Sequence, residues 1–346
     1  MKKLMIAILA LLLVCPAGTW AVAAGNDAPT YFERHGALHV SGSRLTDESG
    51  EPVQLRGVST LGLAWFPEFV SEDAFRTIRD DWGANTVRLA MYTCEDGGYL
   101  TGGDQAALEA LIDKGVKACA ALGMYAIIDW HILSDGDPNL HADEAEDFFA
   151  RMSARYADQP HVLYELCNEP NGSKVSWQVV KRYAERMIPV IRKNAPGAVI
   201  LCGTPEWSKE IASAAADPID DDNLMYTVHF YAATHKAPLR VRVKRAIEAG
   251  TPVFISEFNI CFATGDGAID YKSAEEWRAL IEEYGLSYTA WSLSNANETA
   301  ALIRADCDKK ADWTEDDLSD TGRWLREMLL ENRDREAGRF ADEAMD

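Results

Sequence analysis

The sequence predicts an α/β protein folded as a single (β/α)8 TIM barrel with a short N-terminal β-hairpin. Three observations carry this. Short, apolar, β-branched runs alternate eight times with longer amphipathic ones. The short runs are near-continuously apolar, as strands covered on both faces are. The first of them closes on Arg56-Gly-Val-Ser-Thr60. A doubly wound open sheet, the competing architecture, has a G-x-G-x-x-G turn at that point.

The strands expected in order are Val53–Ser59, Thr86–Tyr92, Tyr125–His131, Val162–Glu169, Ala198–Gly203, Leu224–Tyr231, Pro252–Glu257 and Ser287–Leu293. The helices between and after them are Glu72–Trp82, Asp104–Leu122, Asp143–Ala157, Ser176–Asn194, Ser208–Ala216, Pro238–Ala249, Ser273–Tyr284 and Ser319–Glu331. Asp104 can cap the second helix and Gly123 follows its end; Asn194-Ala-Pro-Gly197 stops the fourth. Ahead of the barrel, Ala37–Val40 and Val53–Leu55 flank Asp47-Glu-Ser-Gly50, which reads as a hairpin closing the barrel bottom.

The chain begins Met1-Lys2-Lys3, runs apolar from Leu4 to Val14, and reaches Ala21-Val-Ala23. That is the n-region, h-region and A-x-A site of a secretory signal peptide. The alternative is a retained anchor, but the run is short for a bilayer. The organisation expected is therefore a leader over 1–23, a catalytic barrel over 24–332 and a charged, frayed tail over 333–346. The protein is expected outside the cell as a monomer, with no membrane contact after cleavage. A net charge of −21 argues against a nucleic-acid partner and suits a neutral substrate. Beyond the leader stand Cys94, Cys119, Cys167, Cys202, Cys261 and Cys307, without a C-x-x-C pair. Buried free thiols are the expectation, although export permits disulfides.

In such a barrel the C-terminal strand ends build the site. Those ends carry Arg88 and Tyr92, His131, Asn168 and Glu169, His229 and Tyr231, Glu257, and Trp291. Glu169 and Glu257 end strands four and seven, across the mouth from each other. Two carboxyls so placed can cleave a glycosidic bond; the alternative is two unrelated rim charges. Trp65, Trp207 and Trp291 lie at or after strand ends, where flat aromatic faces suit pyranose rings. Trp82, Trp177, Trp277 and Trp324 fall on helices and read as core. Strand one lacks an H-x-H, so no catalytic metal and no cofactor is expected, and His131 and His229 read as hydrogen-bonding residues. Glu165, deeper on strand four, needs a cation, Arg56 or Arg88, if it is to be buried.

These stretches resemble the family 5 glycoside hydrolases, in the branch of bacterial secreted endoglucanases, over roughly Phe32 to Leu330. The matching motifs are Gln54-Leu-Arg-Gly-Val-Ser-Thr60, Asn85-Thr-Val-Arg-Leu89, Asp129-Trp-His-Ile-Leu133, Tyr164-Glu-Leu-Cys-Asn-Glu-Pro170, His229-Phe-Tyr231, Ser256-Glu257 and Ala290-Trp-Ser-Leu-Ser-Asn295. The resemblance implies Glu169 as acid/base and Glu257 as nucleophile of a retaining double displacement on a β-1,4-glucan. It implies Asn168 at the sugar 2-hydroxyl, with Arg88 and Tyr231 bonding Glu257 and keeping it ionised. His131 and His229 would shape the central subsite and Trp291 its floor, and Tyr92 is expected among the substrate-binding residues. Trp65 would be a donor-side platform, Trp207 an acceptor-side one, and Glu298 would reach a donor-side hydroxyl. Departures from the family pattern are Leu61 and Ala64 after strand one, Phe258-Asn259 after the nucleophile and Ala296 after strand eight. Leu61 and Ala296 remove donor-side hydrogen bonds, so a related β-glycanase acting on mannan, mixed-linkage glucan or xyloglucan stays open. A non-catalytic glycan-binding barrel is the reading from a different class.

Overall fold

The computed structural model describes residues 29–343, with side chains to residue 338. The segment read as a leader lies outside the described residues. A closed parallel barrel forms from β3 (Arg56–Thr60), β4 (Thr86–Tyr92), β5 (Tyr125–His131), β6 (Val162–Glu165), β7 (Ile200–Cys202), β8 (Leu224–Tyr231), β9 (Val253–Asn259) and β10 (Tyr288–Leu293). β10 pairs with β3 and closes the ring. The expected fold class is therefore the observed one.

Helices α2 (Glu72–Asp80), α3 (Gln105–Leu122), α4 (Ala142–Arg155), α5 (Trp177–Asn194), α8 (Ala237–Glu248), α9 (Tyr271–Tyr284) and α10 (Asp320–Glu343) surround it. Asp104 accepts from the Ala107 amide, and Gly123 takes the left-handed conformation that ends α3. Inward-facing residues change character with height. Tyr125, Ile127, Leu163, Leu201, Met225 and Phe254 form an apolar lower layer. Above them, two residues further along the same strands, come Asp129 and Glu165. The barrel thus has a packed floor and a charged upper storey.

The hairpin forms from β1 (His39–Ser41) and β2 (Arg44–Thr46), not from the pair of segments expected around Asp47–Gly50. Gly42, at φ +60°, makes a tighter turn than the four-residue one anticipated. Asp47 is instead an acceptor hub for Ser49, Glu51 and His35. Leu38 and Leu45 still pack against the lower layer, as a bottom plug would.

Two further expectations are corrected. The fifth helix, expected over Ser208–Ala216, begins only at α7 (Ile211–Ala216), because it is preceded by a left-handed turn, α6 (Pro205–Ser208), with positive φ at Glu206, Trp207 and Ser208. The charged segment after 332 is helical to Glu343 rather than frayed. Its charges have partners across the surface: Arg335 binds Glu282, and Glu336 binds Arg56 and the Tyr31 hydroxyl. Arg56 is only 3% exposed and needs that carboxylate. Glu336→Ala leaves Arg56 without its acid, so unfolding in urea should show a loss of about 1–3 kcal/mol.

Candidate functional site

Arg88 stands on β4 at the centre of the upper storey, with no exposed surface. Its guanidinium donates to Glu165 at 2.7 and 3.3 Å, to Asn168 Oδ1 at 2.6 Å, to Ser59 Oγ at 3.3 Å and to Glu257 at 3.4 Å. Asp129 lies 3.0 Å away. The cation anticipated for Glu165 is therefore Arg88. Arg56 is committed to Glu336 at the opposite end of the barrel. Being fully buried, Arg88 cannot touch a substrate, so its place is under the site rather than in it.

The carboxyls differ in their surroundings. Glu257 accepts from the Tyr231 hydroxyl at 2.8 Å and from Arg88. Burial nonetheless pushes it above the usual carboxylate range, with Arg88 opposing; Arg88 and Tyr231, expected together to keep it ionised, work against that desolvation. Glu169 has no cation in hydrogen-bonding reach among the described residues. Burial raises it to about 7, and the more distant Lys209 and Arg88 only oppose this. Burial also raises Asp129 to about 7, against Arg88. Burial lowers His131 to about 3 and His229 to about 4, so both rings are neutral near pH 7.

Hydrogen-bond direction then fixes where the proton sits. Ser256 Oγ donates to Glu165 Oε1 at 2.7 Å. Its single proton spent, it accepts from His229 Nε2 at 2.9 Å. Neutral His229 therefore has a bare Nδ1, which lies 3.0 Å from Glu169 Oε1. That contact is a bond only if Glu169 carries a proton. The relay from Arg88 through Glu165, Ser256 and His229 thus holds Glu169 as the acid form.

Sequence reasoning placed Ser256 in a matching motif but gave it no role. Strict alternation would turn it away from Glu257. The register of β9 slips by one residue between Phe254 and Glu257 against β8, and between Ile255 and Phe258 against β10. A bulge of this kind lets consecutive residues face the same side. Asp129, also within a matching motif, was likewise given no role. Its Oδ2 lies 2.6 Å from His131 Nδ1, which leaves His131 Nε2 as an acceptor.

Above this layer is a cleft of about 380 Å³. Trp65, Tyr92, His131, Asn168, Glu169, Tyr231, Glu257, Trp291 and Glu298, all named from the sequence, line it. Leu133 and the Ala263–Gly265 turn line it too and were not anticipated. Its aromatic lining is continuous: Trp65 meets Tyr92 at 4.5 Å, Tyr92 meets His131 at 4.0 Å, and His131 stacks on Trp291 at 5.3 Å. Of the described tryptophans only Trp65 and Trp207 are exposed, at 40% and 45%; Trp291 is a buried face. His229 lies beneath the cleft with Arg88. Trp207 stands apart, in an adjoining depression with Trp177 and Lys209.

Trp207 is held there by its neighbours. Its amide donates to the Pro170 carbonyl, and Ser208 Oγ donates to the Asn168 carbonyl at 2.7 Å. Those bonds offset the strain of three successive left-handed residues. Gly203 allows the two strand ends to approach, since a Cβ there would lie 2.2 Å from the Cys167 carbonyl. Asn168 points one amide proton at the Ile132 carbonyl and keeps the other. One oxygen each of Glu169 and Glu257 lie within 4.8 Å of each other. None of the six described cysteines is in a disulfide, and all but Cys94 are buried.

The comparisons with known proteins agree with this geometry. Residues 46–297 match the family model described as cellulase (glycosyl hydrolase family 5). The chain is 46% identical to endoglucanase A of Butyrivibrio fibrisolvens, over 88% of its own length and 71% of the relative's. It is 43% identical to endoglucanase A of Evansella cellulosilytica, over 82% of its own length and 57% of that relative's. Among solved structures, the catalytic domain of Thermobifida fusca endoglucanase Cel5A in complex with cellotetraose superposes with a TM-score of 0.83. The identity is 38%, covering 87% of this chain and all of that one.

Removing Arg88 strands Asp129 and Glu165 without a counter-charge. Arg88→Met should cost about 3–5 kcal/mol in chemical denaturation. Adding Glu165→Gln and Asp129→Asn to that variant should restore part of the loss.

Proposed function

The chain belongs to the cellulases of glycosyl hydrolase family 5, and we propose that it is a secreted, monomeric endo-β-1,4-glucanase that works by retaining double displacement. The observation that carries this reading is the division of labour between the two carboxyls. Glu169 is held protonated by the His229 relay, and Glu257 is braced by Tyr231 and Arg88. Glu169 donates its proton to the leaving glycosidic oxygen while Glu257 attacks the anomeric carbon from the opposite face. Glu169, now ionised, takes a proton from the water that releases the glycosyl-enzyme.

Their separation supports retention. Carboxyls about 5–5.5 Å apart leave no room for a water between nucleophile and sugar, whereas inversion needs about 6.5–9.5 Å. One oxygen of Glu169 and one of Glu257 lie within 4.8 Å of each other, closer than the gap that inversion needs. The free amide proton of Asn168 suits the sugar 2-hydroxyl, and His131 Nε2 offers an acceptor nearby. The exposed faces of Trp65 and Trp207 suit stacking against donor-side and acceptor-side rings. The complex of the Thermobifida enzyme with cellotetraose supports a β-glucan as substrate. The leader-like segment at 1–23 supports export.

On the donor side, Leu61 and Ala296 join an apolar cluster around Tyr92 and Trp291. A missing polar partner can change the preferred sugar. A panel of carboxymethyl cellulose, mixed-linkage glucan, xyloglucan and mannan decides this. Release from the first two is expected. Release from mannan alone would make the protein a mannanase.

Further outcomes are expected. Glu257→Gln should abolish turnover while cello-oligosaccharides still bind, and the first product of the wild type should be the β-anomer by NMR; equal behaviour of variant and wild type would indicate a glycan-binding barrel. Because Glu169 must start protonated, kcat/KM should fall about tenfold per pH unit above about 7. Ser256→Ala frees the His229 tautomer, so that limb should move to lower pH, read from the full pH profile.

A further inference from the structure

Outside the catalytic relay, the described residues place one other set of metal-competent side chains together. Cys94 follows β4, Asp135 follows β5, and His141 caps the start of α4. One ligand atom from each lies within 4.8 Å of the others. All three belong to loops on the same rim of the barrel, and no step of the proposed hydrolysis uses them.

The loops are already joined. Thr93 Oγ1 donates to Asp135 Oδ2 at 2.8 Å, and the Leu133 amide donates to Asp135 Oδ1 at 2.9 Å. The Ser134 amide donates to Glu95 Oε1 at 2.9 Å. Asp135 is therefore aimed by fixed donors on both oxygens, as the carboxylate ligands of metal sites are. Its oxygens retain lone pairs, since each can accept more than one bond. Glu95 Oε2 is buried with no hydrogen-bond partner. Neither Glu95 nor Asp135 forms an ion pair with Lys or Arg among the described residues. Negative charge is concentrated here without a cation to balance it.

We propose that Cys94, Asp135 and His141 bind a thiophilic divalent cation of the Zn2+ class, with water as the fourth ligand. A thiol, an imidazole and a carboxylate are the donors that borderline-soft zinc accepts together. Binding forms the Cys94 sulfur–metal bond and releases the thiol proton to solvent. Tetrahedral zinc bonds of about 2.0–2.3 Å set ligand atoms about 3.3–3.8 Å apart, so ligand atoms as far apart as 4.8 Å would draw together on the ion. The consequence reaches the substrate cleft, because Asp96 on the Cys94 loop accepts from the Trp65 indole at 2.8 Å. The cation braces the platform without joining the chemistry.

The test uses the purified full-length protein, stripped with chelator and retitrated with Zn2+, and with Co2+ as a spectroscopic probe. One Zn2+ per chain, a thiolate-to-cobalt absorption band and a Zn2+-dependent rise in Tm of a few degrees are expected. Cys94→Ser and His141→Ala should each weaken binding by about tenfold or more. Both side chains are partly exposed, so the variants should fold, and cleavage of carboxymethyl cellulose checks that they do. Absence of stoichiometric Zn2+, a cobalt complex lacking the thiolate band, or affinity unchanged in either variant would overturn the site. Binding that survives both variants but is lost in Glu169→Gln would place the ion in the catalytic cleft and overturn it equally.

Discussion

One buried guanidinium organises the upper barrel. Arg88 sits among Asp129, Glu165 and Glu257, and its remaining donors reach Asn168 and Ser59. Placing so many acids out of water is costly unless they are paired. Arg88 makes the placement tolerable and, by its planar geometry, sets their positions relative to one another. The support runs outward from it in two directions. One leads directly to Glu257 and Asn168. The other passes through Glu165, Ser256 and His229 to Glu169.

Much of this was legible in the chain because the barrel's geometry is so regular. Apolar runs gave the strands, and polar residues at their ends gave the mouth. Glu165 read as a buried acid needing a cation, and the cation is where the pattern allowed it. What stayed hidden depended on departures from period two or on contacts distant in sequence. Ser256 reaches the relay only because a bulge turns it inward beside Glu257. Trp207 was found as an aromatic, but not the left-handed turn that presents it. The last helix continues through a charged segment because Arg335 and Glu336 meet partners that sequence cannot place. The hairpin moved because Gly42 offers a shorter turn than the Asp47 segment.

The charge count of the site explains its asymmetry. Asp129, Glu165, Glu169 and Glu257 face one arginine, and the two histidines are neutral. The arrangement cannot hold every carboxyl ionised, so protons must stay on the sites least served by Arg88. Glu165 and Glu257 each receive Arg88 together with a hydroxyl donor, from Ser256 and Tyr231. Glu169 receives neither arginine nor hydroxyl, and meets instead a bare imidazole nitrogen that asks for a proton. Two glutamates of equal intrinsic acidity are thereby driven to opposite roles. The distinction resides in the layer beneath them. A substitution there, at Ser256 or Glu165, would disturb the chemistry while leaving every group that faces the sugar in place.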